Sequence, residues 1–243
     1  SEHMQSRLAQ RLEQYRNLQR ISLAMPGHKG GRGIPDELRK HFFSYDVTEL
    51  SDTDSLYESE GALKEAQERA ARFYQSRETL FLVNGSTSGI FIMLLSCCHA
   101  GDRVLVSRHC HQSVIHACTV FGLVPVYLES TLIPGFEIPD GVSPAAVEHA
   151  LKEEKVSAVL ITSPNYYGVA SDVAAISEIV HRYGIPLLAD EAHGAHFAAS
   201  EKIFPKSAVR QGADMVVQSA HKTLAAMNQT AFLHICSDRV DKE

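Results

Sequence analysis

From Leu80 onward the chain alternates short apolar runs with longer stretches in which apolar residues recur every three or four positions. Runs at about 80–83, 103–107, 124–128, 157–162, 186–190 and 214–218 read as buried strands, bounded by turn residues and too short for helices. Helical patterns at about 87–98, 111–121, 143–154, 172–183 and 205–211 separate most of them. Strands and helices in this alternation predict an α/β fold, a doubly wound, mainly parallel sheet. Right-handed crossovers then place every strand-to-helix loop on one edge of that sheet. Ala231–Ile235 follows Lys222 too closely for a crossover helix and reads as an antiparallel strand, which makes the sheet seven-stranded.

Upstream of residue 80 the pattern is different. Leu8, Leu12, Tyr15 and Leu18 fall at helical spacing among Arg and Gln, which predicts an amphipathic helix over 5–20 with no core of its own. Met25–Gly33 holds four glycines among His28, Lys29 and Arg32. It reads either as a loop that can approach a ligand or neighbouring subunit closely or as a flexible linker. A helix over Gly61–Gln75, with Glu65 and Arg69 as an i,i+4 pair, reads as scaffold. The division this suggests is an N-terminal helical and glycine-rich arm, 1–45, and a large domain, 46–243.

Composition narrows the class without naming an activity. A chain of 243 residues with 44% hydrophobic residues can bury one large core. A net charge of -6 with no Lys/Arg-rich block argues against a nucleic-acid partner. Thr79–Gly101 carries no Asp, Glu, Lys or Arg, yet its centre, Asn84-Gly85-Ser86-Thr87-Ser88-Gly89, is polar, so strand, loop and buried helix fit better than a membrane span. The five cysteines, Cys97, Cys98, Cys110, Cys118 and Cys236, lack a Cys-x-x-Cys spacing and read as reduced thiols of a cytoplasmic protein. The opening shows no signal peptide, and Ser1-Glu2-His3-Met4 resembles a tag remnant before a start methionine.

The chemistry is concentrated at predicted strand ends. One apolar run ends at Asp190 and the next ends at Ser219, just before Lys222. Ligands of open α/β sheets bind outside such carboxyl ends. A lysine there, with an acid one unit upstream, suits pyridoxal 5'-phosphate, whose aldehyde needs an amine and whose ring nitrogen needs an anion. Lys222 is therefore the candidate Schiff-base lysine and Asp190 the candidate partner of the ring nitrogen, against the plainer reading of a surface ion pair. Gly85-Ser86-Thr87-Ser88-Gly89 opens a helix, and its amides, hydroxyls and helix dipole could seat a phosphate. The loop lacks the lysine of a P-loop and the spacing of a dinucleotide fingerprint. An imidazole of the Arg108–Ser113 loop could stack on a flat ring. The amide and phenols of Asn165, Tyr166 and Tyr167 could bond a ring hydroxyl or simply make a turn.

Pro26-Gly27-His28-Lys29-Gly30, Asp46-Val47-Thr48-Glu49-Leu50, Val83-Asn84-Gly85-Ser86-Thr87, Cys110-His111-Gln112-Ser113, Asp190-Glu191-Ala192-His193-Gly194-Ala195-His196 and Ser219-Ala220-His221-Lys222 occur in that order. In this the chain resembles the fold-type I pyridoxal phosphate enzymes, and among them the bacterial-type Orn/Lys/Arg decarboxylases in their short form without a wing domain. The resemblance implies decarboxylation of arginine, lysine or ornithine to the amine and CO2, in a homodimer with sites at the interface, as part of polyamine biosynthesis. It implies that Lys222 carries the cofactor and Asp190 faces the pyridine nitrogen. His111 would stack on the ring, and Ser86, Thr87, Ser219 and His221 would hold the phosphate. His193 would lie near ring or substrate. Gln112 stands where the family usually has lysine, which changes local charge and not the stack. The family also continues into a C-terminal small domain, expected to be absent from this chain, so that the chain alone is expected to bind cofactor poorly and not to turn over. Three other readings compete: transamination or lyase chemistry on the same scaffold, a metal hydrolase using Asp190, Glu191, His193 and His196, and a non-catalytic dimerising fragment. The cofactor reading assigns no metal.

Overall fold

The computed structural model describes residues 6–240; the tag-like Ser1–Met4 lies outside that range. Helix α1 (Arg7–Asn17) starts at Ser6, whose hydroxyl caps the Ala9 amide, and α2 (Asp36–His41) follows the glycine-rich loop. Neither helix buries a residue. Helix α3 (Ala62–Tyr74) leads into β1 (Glu78–Leu82), then α4 (Gly85–Leu95), β2 (Arg103–Val106), α5 (Gln112–Phe121), β3 (Val124–Tyr127), α6 (Pro144–Glu153), β4 (Ala158–Thr162), α7 (Val173–Arg182) and β5 (Leu187–Asp190). Two short 3-10 turns, not the helix expected over 205–211, connect β5 to β6 (Met215–Ser219). A single helical turn, α8 (Ala220–Thr223), precedes β7 (Ala231–Ile235).

The seven strands form one sheet in the order β1-β7-β6-β5-β4-β2-β3. Pairs among β2 to β6 are parallel, whereas β7 runs antiparallel to both β1 and β6. No helix among the described residues is long and apolar enough to cross a membrane.

Side chains alternate across each strand, so the sheet has two cores. On one face Val104, Val106, Leu160, Leu188, Met215 and Val217 pack against Ile90, Met93 and Leu94 of α4 and Val114, Ala117 and Cys118 of α5. On the other, Leu105, Val159, Ile161, Leu187, Ala189 and Val216 meet α6 and α7. The same alternation carries past the apolar runs. Thr162, Asp190 and Ser219 follow the parity of Leu160, Leu188 and Val217 and come out on the α4/α5 face, whereas Glu191 and Gln218 fall on the opposite one. Gly89 lets α4 lie close on that face: a Cβ there would stand 2.4 Å from Val217 Cγ2 and 2.9 Å from Leu82 Cδ1. Close approach of α4 brings its first turn to the end of β6.

Candidate active site

At the carboxyl edge of the parallel strands a cavity of about 850 Å³ opens on the α4/α5 side. Asn84–Thr87, His109–Ser113, Thr162, Asp190, His193, Ser219, His221 and Lys222 line it, so five strand ends contribute.

The amine and the acid lie in the same cavity. Lys222 Nζ donates to His193 Nε2 at 3.1 Å. Burial pulls the lysine pKa down, opposed by the nearby Asp190 charge. Burial also lowers that of His193, to about 4, and the charges of Lys222, His111 and His221 add to the effect. His193 is therefore a neutral acceptor for the lysine, with its ring edge-on to Tyr166 at 5.9 Å. Asp190 is 4% exposed, and Ala192 N–H donates to its Oδ1 at 3.1 Å. Desolvation raises the Asp190 pKa; the Ala192 amide, Lys222 and His111 offset only part of it. A carboxylate kept this dry is costly unless a cation joins it.

The remaining groups sit at helix starts. His111 is the N-cap of α5; its Nδ1 accepts from Ser113 N–H at 3.2 Å and lies 2.8 Å from Ser113 Oγ. The N–H bond leaves the proton of a neutral His111 on Nε2. Ser86, in the first turn of α4, meets Ser219 across the cavity floor, hydroxyl to hydroxyl at 2.6 Å. Asn84 offers α4 no side-chain cap; Gly85 N–H donates to Gln229 O at 2.7 Å, and the amides that follow it in the first turn can face an anion. His221 Nδ1 donates to Thr230 O at 3.1 Å.

Asn165 is the exception among the predicted residues. Its Oδ1 accepts from Tyr167 and Val169 N–H, and its Nδ2 donates to Pro139 O at 2.9 Å. The side chain is spent on its own turn and does not line the cavity, which corrects its expected role on a ring hydroxyl. Thr162 does line the cavity. It pairs in register with Asp190, and its buried Oγ1 has no hydrogen-bond partner. An unmet buried hydroxyl costs about 1–3 kcal/mol, so a polar ligand group is favoured beside it. The orphan hydroxyl, the uncapped helix start and the desolvated acid together fit a flat, phosphorylated, cationic ring.

The sequence matches the family described as Orn/Lys/Arg decarboxylase, major domain, over residues 6–243. The chain belongs to the Orn/Lys/Arg decarboxylase family. The uncharacterized protein YaaO of Bacillus subtilis (strain 168) is 44% identical over 227 residues, covering 91% of this chain and 47% of that protein. An arginine decarboxylase of Bacillus anthracis is 34% identical, covering 88% of this chain and 44% of its own length. The chain thus spans about half the length of the curated relatives it matches. Among solved structures, the E. coli constitutive lysine decarboxylase superposes with a TM-score of 0.68 at 23% identity, over 94% of this chain and 35% of that one. At that identity the likeness speaks for the fold.

In this member of the Orn/Lys/Arg decarboxylase family Glu191 has a part that the residue pattern did not disclose. Rather than facing Asp190, His193 and His196 as a metal ligand, it points to the α6/α7 side and accepts from Ser207 Oγ, Ala208 N–H and Gln218 Nε2. Among the described residues no cluster of His, Cys, Asp and Glu is placed to hold a metal ion. Gln218 Oε1 in turn accepts from His234 Nε2 at 2.9 Å, and His234 Nδ1 accepts from Thr79 Oγ1, which accepts from Ser76 Oγ; each of the last two contacts is 2.8 Å. With its amide nitrogen committed to Glu191, Gln218 has only an acceptor for His234, and that fixes every donor in the series. Burial raises the Glu191 pKa to about 7 and lowers that of His234 to about 3.

His234 makes stability depend on pH. Its folded pKa lies below its unfolded one, so the unfolded chain binds the extra proton, and stability present above pH ~6.5 falls as pH drops toward the folded value. Glu191, with a raised pKa, acts in the opposite sense between its unfolded value and about 7. Moving from pH 7 to 5 is therefore expected to cost the wild-type chain about 2 kcal/mol through His234, and His234→Phe, although less stable throughout, should lack that component. Urea midpoints of both proteins at the two pH values check this; equal losses on acidification would refute it.

Proposed function

We propose that the chain is the cofactor-bearing part of a pyridoxal 5'-phosphate-dependent decarboxylase that acts on arginine, lysine or ornithine. The observation that carries the reading is the meeting, in one cavity, of the Lys222 amine, the dry Asp190 carboxyl, the His111 ring and the paired Ser86 and Ser219 hydroxyls. Lys222 would hold the cofactor through its ε-amine, and Asp190 would lie against the ring nitrogen. Ser86, Thr87, Ser219 and His221 would take the phosphate, and His111 the ring face. When bound, the group supplies an electron sink for the pair left on Cα as the substrate carboxylate departs as CO2.

The chain's own residues set the conditions for that chemistry. Burial lowers the Lys222 pKa and favours the free amine, and neutral His193 orients that amine from Nε2. The Asp190 charge has its lowest-energy partner in a cation placed beside it, so it would favour the protonated form of a ring nitrogen held there. His111, fixed through Nδ1, presents a single Nε2 proton, and it shares with Lys222 and His193 the candidacy for proton transfers in the cavity.

A homodimer with the site at its interface completes the proposal. Leu8, Leu12, Tyr15 and Leu18 lie exposed along α1, together with Phe42, Phe43 and Tyr45 after α2, which is more apolar surface than an isolated arm keeps in water. The decisive experiment is a decarboxylation assay of the full-length protein on arginine, lysine and ornithine side by side. Release of CO2 with agmatine, cadaverine or putrescine is expected, whereas a keto acid product would assign transamination instead.

A further inference from the structure

The Gly27–Gly33 loop lies beyond the cavity lining, yet it is fastened to the segment that carries Lys222. Gly27 N–H donates to His221 O at 2.7 Å. That carbonyl belongs to α8, a helical turn too short to satisfy its own last acceptors, so an amide from the arm caps it. The approach is close enough to exclude any side chain at Gly27: a Cβ there would fall 2.2 Å from Leu224 O and 2.9 Å from Leu224 C, both backbone atoms. A Cβ at Gly33 would fall 2.9 Å from Ala225 Cβ. Neither glycine has a positive φ, so space and not backbone conformation requires them.

The loop is itself stiffened. His28 Nδ1 accepts from Gly31 N–H at 2.9 Å, and His28 O accepts from Gly33 N–H at 3.2 Å. A linker would not spend its glycines and amides this way. We propose that the Gly27–Gly33 loop is a positioning clamp for the Lys222 turn, holding the lysine amine where His193 meets it, with Gly27 and Gly33 as its two points of contact. The proposal rests on the assignment of Lys222 as the cofactor-bearing residue, but the clamp itself is testable without cofactor.

The test compares wild type with Gly27→Ala, Gly33→Ala, the double variant Gly33→Ala/Ala225→Gly, and Arg32→Ala as a control on the exposed side of the loop. In the cofactor-free chain, competitive trace labelling with acetic anhydride, read on the Lys222 peptide, reports the amount of free amine at neutral pH. Released from its buried position, the amine returns toward the ordinary lysine pKa, and labelling falls about tenfold for each unit of that return. Gly27→Ala and Gly33→Ala are expected to lose labelling and to slow borohydride-trapped attachment of pyridoxal phosphate, with Arg32→Ala unchanged. Ala225→Gly should rescue Gly33→Ala, because it removes the one side-chain atom in the way; this pair decides the matter if Gly27→Ala does not fold. Wild-type labelling in both single variants, or failure of the rescue, would overturn the clamp. Absence of trapped adduct in wild type, with labelling altered in the variants, would count against the cofactor assignment and leave the clamp standing.

Discussion

Lys222→Ala is expected to abolish covalent attachment of pyridoxal phosphate and to lower decarboxylation by the full-length protein on the order of 10³-fold or more. Among the described residues the amine is the sole lysine nitrogen lining the cavity, and its hydrogen bond to His193 shows that it is held toward the interior. Removing it takes away both the point of attachment and a proton carrier, and a loss of 10³ corresponds to about 4 kcal/mol of transition-state stabilisation. The fold should survive, since Lys222 is partly exposed and makes no ion pair within the core. Visible absorbance of the loaded protein and mass mapping after borohydride reduction check the first part, and CO2 release checks the second. An adduct that maps to a different lysine would remove the basis of the functional assignment.

Asp190→Asn should separate stability from activity. Activity is expected to drop by roughly 10²–10⁴, because a neutral amide cannot keep a proton on the facing ring nitrogen. The cofactor-free chain should behave in the opposite way. Burial raises the Asp190 pKa in the folded state, so the folded chain holds that proton more tightly than the unfolded one. The favourable contribution is present at pH values below the unfolded pKa and is lost as pH rises through the folded value. Above that value wild type carries a buried charge with no cation in contact, and Asp190→Asn should be the more stable protein. Urea denaturation at pH 5 and pH 8 measures this, with the advantage of the variant growing at the higher pH. A variant less stable than wild type at pH 8 would mean that Asp190 is a structural anchor and not an acid waiting for a ring cation.

The two predictions share a cause: the site holds a buried charge whose desolvation the Ala192 amide, Lys222 and His111 offset only in part. The orphan Thr162 hydroxyl beside it has the same character. Both are costs to the fold that a bound polar group would offset, a common signature of a binding site.

Much of this was present in the order of residues. Runs of the right length fixed the strands to within a few positions, and the short gap after Lys222 correctly demanded an antiparallel β7. Because apolar runs end where strands end, the residue pattern puts Asp190 and Ser219 at one edge, and Ser86 and His111 at helix starts beside it. Local sequence carries such information because hydrophobic period and length decide element type and direction. What it does not carry is the identity of neighbours across the sheet. Glu191 beside Gln218, His234 beside Thr79, and Gly27 against Leu224 depend on the order β1-β7-β6-β5 and on where the arm returns. Asn165 was misplaced for a related reason: an amide after a strand serves a ligand or its own turn with the same residue type, and only the nearby Pro139 carbonyl and Val169 amide decided between them. Pattern along the chain thus determined which side chains reach the carboxyl edge. Which of them remain free for chemistry there was decided by packing, since a polar group is available to a ligand only when no protein partner has already satisfied it.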